Sequence, residues 1–203
     1  MVLTTKQWVK ITQDGVEVGG KPLATTARGA ALLTEVYRTR VNDYPKYFKM
    51  DDLSKLGFLA SELLLRAVDG QCTDNENLAV ILFGRSGSAV TDRKYQATIE
   101  REDDFFPSPS VFVYTLPNIV TGEIALRNKY HGETAFYVVD HRDDALMEQV
   151  VTSSLQGTDV HGVICGWVDY ESDDNFEATF ALKTAADGLR QTACGTACLK
   201  NNE

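Results

Sequence analysis

No run of apolar residues in this chain approaches the roughly 18 that a membrane-spanning helix needs, and the opening Met1-Val2-Leu3-Thr4-Thr5-Lys6 lacks the apolar core of a signal peptide. The expectation is a cytoplasmic protein with no membrane span. Cysteine is scarce, and Cys72, Cys165, Cys194 and Cys198 form no Cys-x-x-Cys pair. A reducing compartment then argues against a disulfide framework. Cys194 and Cys198 are spaced to share a helix face, but their Gly- and Thr-rich surroundings read as a frayed terminus rather than a metal site. The histidines, His131, His141 and His161, fall at intervals that match no zinc motif. Neither a metal nor a cofactor is expected. Positive charge is also short, with 20 Lys+Arg against 29 Asp+Glu and a net charge of −9. That balance argues against nucleic acid as a partner.

What remains is ordinary globular material: 203 residues, 43% hydrophobic and 24% charged, enough for one sizeable core. Residues 1–203 read as a single domain. The charge is uneven, +3 over residues 1–66 and −12 over 67–203. Arg28, Arg38, Arg40, Lys46, Lys49 and Lys55 cluster in the first third, where they suit either an acidic partner or a plain solvated helix face.

Along the chain, Gln7–Ile11 and Val16–Val18 flank Asp14-Gly15, a dipeptide suited to a tight turn, so 7–18 reads as a hairpin. Ala30, Leu33 and Tyr37 recur at helical spacing within a helix predicted over Thr26–Arg40. Asp51-Asp52 caps a second helix over Leu53–Val68, whose stripe is Leu53, Leu56, Ala60, Leu63, Leu64 and Ala67, with Gly70 as its stop. Leu78–Phe83 is an unbroken apolar run, the signature of a strand covered on both faces. Gly84-Arg85-Ser86-Gly87-Ser88 follows, a turn that lacks the lysine of a phosphate loop. A short helix is expected over Asp92–Ile99 and an exposed acidic stretch over 100–104. Later come a strand over Ala135–Val139, a helix capped by Asp143-Asp144 and ended by Gly157, and an apolar strand over Val160–Val168. Phe176–Thr184 alternates as an antiparallel strand with one wet face does.

The stretch Phe105–Gly132 organises the rest. Pro107 and Pro109 bar a helix before Ser110, while Ile119, Gly122, Ile124, Ala125 and Leu126 recur at helical spacing. Pro117 either opens that helix or kinks a longer one beginning near Val111. A mid-helix glycine costs about 1 kcal/mol, so Gly122 predicts a close backbone approach on a buried helix.

Pro117-Asn118-Ile119-Val120-Thr121-Gly122, then His131-Gly132, then a short strand over Ala135–Val139 resembles, in order and spacing, the N-terminal domain of the beta-ketoacyl synthases of the thiolase superfamily. Phe48-Lys49-Met50-Asp51-Asp52 resembles a second motif of that family, and Cys165-Gly166-Trp167-Val168-Asp169 resembles its strand closing on Gly-Gly and an acid. The resemblance spans about 45–185, leaving the hairpin and a flexible tail over 188–203 outside it. It implies an α/β, layered thiolase-like half-fold with a mixed sheet and a buried central helix. A complete family member has two such halves, the second carrying two catalytic histidines. At the turn where the family places its nucleophilic cysteine this sequence has Val139-Asp140-His141-Arg142-Asp143, a degenerate turn with no catalytic residue.

The resemblance further implies that Pro117, Asn118, Gly122, Phe136, Tyr137 and Val138 lie at a dimer interface, and the uneven charge places the docking of any carrier protein on the basic first third, through Arg38, Arg40, Lys46 or Lys49. Its favoured reading is a non-catalytic subunit of the chain-length-factor type, partnering an active ketosynthase or itself in fatty acid, polyketide or aryl-polyene biosynthesis. A ketosynthase-like acyltransferase completed by another chain, and an acyl-chain or carrier-protein binding module, are the alternatives. Adjacent turn residues normally point apart, which disfavours acid-base work by Asp140 and His141. Cys165 reads as a small buried hydrophobe. Half of a two-part fold is expected to expose apolar surface on both sides.

Overall fold

The computed structural model describes residues 3–68, 78–100, 103, 105–156, 158, 160 and 162–185. In chain order the elements are β1 (Leu3–Thr12), β2 (Gly15–Val18), β3 (Lys21–Pro22), α1 (Ala30–Val36), α2 (Asp52–Ala67), β4 (Leu78–Gly84), α3 (Ala89–Gln96), α4 (Pro109–Val113), α5 (Ile119–Asn128), β5 (Thr134–Val138), α6 (Asp144–Ser154), β6 (Gly162–Ser172) and β7 (Asn175–Ala185). A π-helical turn over Tyr37–Val41 extends α1, and a 3-10 helix over Pro45–Lys49 leads into α2.

One seven-stranded sheet runs β3-β2-β1-β7-β6-β4-β5. It is mixed: β4 pairs parallel with β5 and β6, and the other pairs are antiparallel. β4 is buried at every position because helices cover both of its faces, which is why its sequence is unbroken Leu-Ala-Val-Ile-Leu-Phe. β7 alternates, with Phe176, Ala178, Phe180 and Leu182 buried beneath the helices of one face.

That first face carries the main core, built from α1, α2 and α5 over Val9, Ile11, Val80, Leu82, Ile164, Val168 and Phe180. The buried central helix of the fold is α2, with eleven residues from Leu53 to Leu64 out of solvent. Asp51 caps it by accepting from Ser54 N at 3.0 Å. Burial raises the Asp51 carboxyl above the usual range despite that bond and a second from Thr91 Oγ1. Among the described helices α6 covers the opposite face, over a smaller core of Ile81, Phe83, Val151, Leu155, Cys165 and Trp167.

Several local expectations change. The helix over 119–128 is buried on one side only, through Val120, Thr121, Glu123 and Ile124. Nothing lies within 4 Å of a Cβ built on Gly122, so no backbone approaches it. The close crossing of α2 and α5 falls instead at Gly57, where a Cβ would overlap Val120 Cγ2. Pro117 neither opens nor kinks a helix: the chain breaks into α4 and α5, with Pro109 in the first turn of α4 and Asn118 at the N-cap of α5. The first hairpin pairs Thr12 with Gly15, so its turn is Gln13-Asp14, and left-handed backbone is used at Gly19 and Gly20, which link β2 to the unforeseen β3. α1 starts at Ala30 rather than Thr26, since the Glu35 carboxylate holds Ala27 N and Thr26 N in an extended segment. α3 begins at Ala89, three residues early. Beyond α6, the second sheet face carries Lys10, Thr12, Glu17, Glu177 and Thr179 by register, with the partly exposed Trp8 on the same face and Leu146 of α6 in solvent. The acidic stretch at 100–104 is described only at Glu100 and Asp103, both exposed. Gly70, Gly157, His161, Cys72, Cys194, Cys198 and the 188–203 tail lie outside the described residues.

Candidate functional site

The C-terminal ends of β4, β5 and β6 lie together, and the chain leaves β4 and β5 toward opposite faces of the sheet. That divergence is where open α/β sheets form ligand crevices. A cleft of about 460 Å³ sits here, lined by Arg85, His141, Arg142, Trp167, Asp169 and Glu177 among others. Its wall is mostly charged.

Two sets of backbone donors near this cleft are already filled. Asp143, at the N-cap of α6, accepts from Ala145 N at 2.9 Å and Leu146 N at 3.0 Å. A carboxylate suits this position because it satisfies unpaired amides at the positive end of the helix dipole. In the Gly84–Ser88 turn, Arg85 N and Ser86 N donate to Asp169 Oδ1 at 3.3 and 2.8 Å, and Ser86 Oγ donates to the same oxygen. Arg85 also pairs with Asp169 and Glu171. The Gly84–Ser88 turn therefore holds an internal carboxylate.

Asp140 and His141 do meet, contrary to expectation, with Nδ1 and Oδ1 2.8 Å apart. Their side chains are 89% and 72% exposed, so the contact is solvated. Cys165 sits mid-strand in β6, where burial pushes its thiol up to about 11 against a smaller opposing effect from Lys183. At neutral pH only about one in 10⁴ such thiols is ionised, which leaves little nucleophile. It lines a smaller cavity of about 190 Å³ with Phe83, Met147, Val151 and Ala181, roofed by α6. There Lys183 is tied to Glu148.

The residues expected at an interface are partly united. Pro117 and Val138 both border Gly87, which brings the start of α5 to the upper end of β5. Asn118 and Gly122 lie on the outer side of α5, in line with exposed Leu126. Tyr137 stacks on Phe83 at 5.2 Å, and Val138 faces solvent. Phe136 differs, since its ring packs into the first-face core and only its backbone is available at the edge.

The basic group is less uniform than its sequence suggests. Lys46 is bound at 2.7 Å to Glu123, a buried carboxylate that also accepts from Tyr114 Oη at 3.0 Å. Arg38, Arg40 and Lys49 are exposed. Phe48, half-exposed beside Lys49, makes edge contacts with Tyr37 and Tyr47. The ion network of Asp43, Glu62, Arg66 and Arg127 was not foreseen either. Glu62 and Arg66 are one turn apart on α2, but Asp43 and Arg127 join them from far away in sequence, so no local signal announces the network. Among the described residues there is no cluster of metal-ligating side chains and no helix long and apolar enough to cross a membrane.

No protein-family model and no curated protein matches the chain. Solved structures do. The ishigamide ketosynthase/chain length factor superposes with a TM-score of 0.67 at 15% identity over 94% of this chain. A ketosynthase in complex with its chain length factor from Xenorhabdus doucetiae gives 0.55 at 14% identity, over 91% of this chain and 79% of that one. A type II polyketide synthase acyl-carrier protein complex with its ketosynthase, bound to the hexaketide, gives 0.59 at 14% identity over 91% of this chain. The chain spans 64% of the first structure's length and 62% of the third's. At these identities the likeness is one of fold: the chain shares the mixed-sheet α/β fold of ketosynthase and chain-length-factor structures.

Proposed function

We propose that this chain is a non-catalytic ketosynthase-fold subunit of the chain-length-factor type, which pairs with an active beta-ketoacyl-carrier-protein synthase in fatty acid, polyketide or aryl-polyene biosynthesis. One observation carries the reading. At the crevice where condensing chemistry requires a thiolate and free amide donors, the turn offers Asp140 and His141, and the carboxylates of Asp143 and Asp169 occupy the donors. The fold of known ketosynthase and chain-length-factor assemblies is kept around a centre chemically unsuited to acyl transfer. The chain acts as a single cytoplasmic domain, and Arg38, Arg40 and Lys49 are its docking cations for an acidic carrier protein. Lys46 instead stabilises buried Glu123.

The test is co-expression with a full-length active ketosynthase and its acyl-carrier protein. The expected result is a stable complex in which acyl adducts appear by intact mass on the ketosynthase and never on this chain. Charge reversal at Arg38, Arg40 and Lys49 should weaken carrier binding in a salt-dependent way. An acyl adduct on this chain, or failure of any ketosynthase complex to form, overturns the reading.

A further inference from the structure

The cavity beneath α6 has no part in the pairing proposed above, and its origin is a row of side chains across the second sheet face. By register Ile81, Cys165, Ala181 and Trp8 stand side by side on β4, β6, β7 and β1, so two small residues lie between two large ones. α6 passes over the small pair with Met147 and Val151, one turn apart on the same side of the helix. Phe83 forms part of the wall, its ring fixed by stacking on Tyr137 at 5.2 Å. The result is a hollow of about 190 Å³ between a helix and the sheet it covers, a place where folded chains keep few gaps larger than a water molecule.

Depth and chemistry change together in this hollow. Phe83, Val151 and Cys165 at the bottom are at most 5% exposed. Glu148 and Arg142 at the mouth are 45% and 37% exposed. Each charge that lines the mouth has a counter-ion: Lys183 pairs with Glu148, and Arg142 with Asp144 at 2.9 Å. Arg142 also donates to Thr179 Oγ1 at 3.4 Å.

From this hollow we infer a binding site for a small uncharged aromatic molecule, a single ring with one or two small substituents, lying against Phe83, Cys165 and Met147. Size sets the first limit. A cavity of about 150 Å³ holds benzene, so this one takes a substituted ring and no long chain. Charge sets the second, because a carboxylate or an amine must break an ion pair at the mouth to be paired itself, whereas an uncharged ligand leaves both pairs intact. The aromatic preference comes from the wall. The sulfurs of Cys165 and Met147 contact ring edges favourably, and the Phe83 ring adds an aromatic partner. The Thr179 hydroxyl supplies a polar contact for a substituent such as a ring hydroxyl. The inference stands whether or not a ketosynthase partner is found.

Titration of the full chain with para-cresol tests it, read from the methionine methyl resonances. Met147 lines the hollow, and Met50 in the first-face core is the internal control. The expected result is a saturable shift at Met147 with a Kd on the order of 0.1–1 mM and none at Met50. Hexanoate, of similar size but charged, should bind at least ~10-fold more weakly. Ala181→Leu fills the hollow from the floor and Val151→Phe from the roof, and each should also weaken binding at least ~10-fold. Should the strand variant misfold, Val151→Phe decides alone. The inference is overturned by no saturable shift at Met147 up to ~5 mM, by equal shifts at Met50, by hexanoate binding as tightly as para-cresol, or by an affinity that Val151→Phe leaves unchanged.

Discussion

The two edges of this sheet are built on opposite plans. At one, β3 is two residues long, is entered through the tight Gly19-Gly20 turn, and ends on Pro22, which has no N–H to offer. Lys21 adds a charge. At the other, β5 is longer, carries no proline and no charge, and lies beside exposed apolar residues. A short, charged, proline-bearing strand is the usual protection against unwanted pairing. One chain therefore applies that protection on one side and withholds it on the other.

Three changes test how far that contrast reaches. The largest effect is expected at Gly57, whose missing side chain lets α5 lie against α2 and so sets the wall beside β5. Gly57→Val should cost about 3 kcal/mol in urea unfolding, because the new methyls collide with Val120 in a packed core. Adding Val120→Ala should recover part of the loss, and no recovery would mean that α5 is not held there. A smaller effect is expected at Asp169. Asp169→Ala strands the amides of Arg85 and Ser86 and should cost about 2 kcal/mol, read as a lower urea midpoint at unchanged slope. A variant as stable as the parent would show that water replaces the carboxylate freely. The smallest effect belongs to the protected edge. Pro22→Val restores one donor to a two-residue strand, and sedimentation should not change. New association through β3 would erase the asymmetry between the edges.

The sequence discloses whatever depends on neighbours along the chain. The apolar run of β4, the Asp51 cap of α2, the Asp143 cap of α6 and the alternation of β7 are all local patterns with local causes. What it hides depends on partners folded in from far away. Gly57 and Gly122 look alike in sequence, and only the crossing of α2 with α5 decides which one admits another element. Lys46 reads as one more surface cation until Glu123, 77 residues on, is folded beside it. Asp169 is separated from the turn it fills by more than 80 residues. At the turn after β5 the sequence names Asp140 and His141 but not their contact, which the fold supplies. That Asp169 satisfies the Arg85 and Ser86 amides was not legible, since no spacing rule links them across more than 80 residues.

The place of β1 has a kinetic consequence. It pairs on one side with β2, its immediate successor, and on the other with β7, so that Val9 waits for Phe180. A chain emerging from the ribosome can form the first hairpin early, but that hairpin joins the rest of the sheet only once β7 is synthesised. Contacts between such distant segments slow folding, because the loop must close before any burial rewards it. During that interval the apolar side of the hairpin, with Val9, Ile11 and Val16, is uncovered. Synthesis rate and chaperone supply should therefore govern the yield of this protein more than the stability of its finished state.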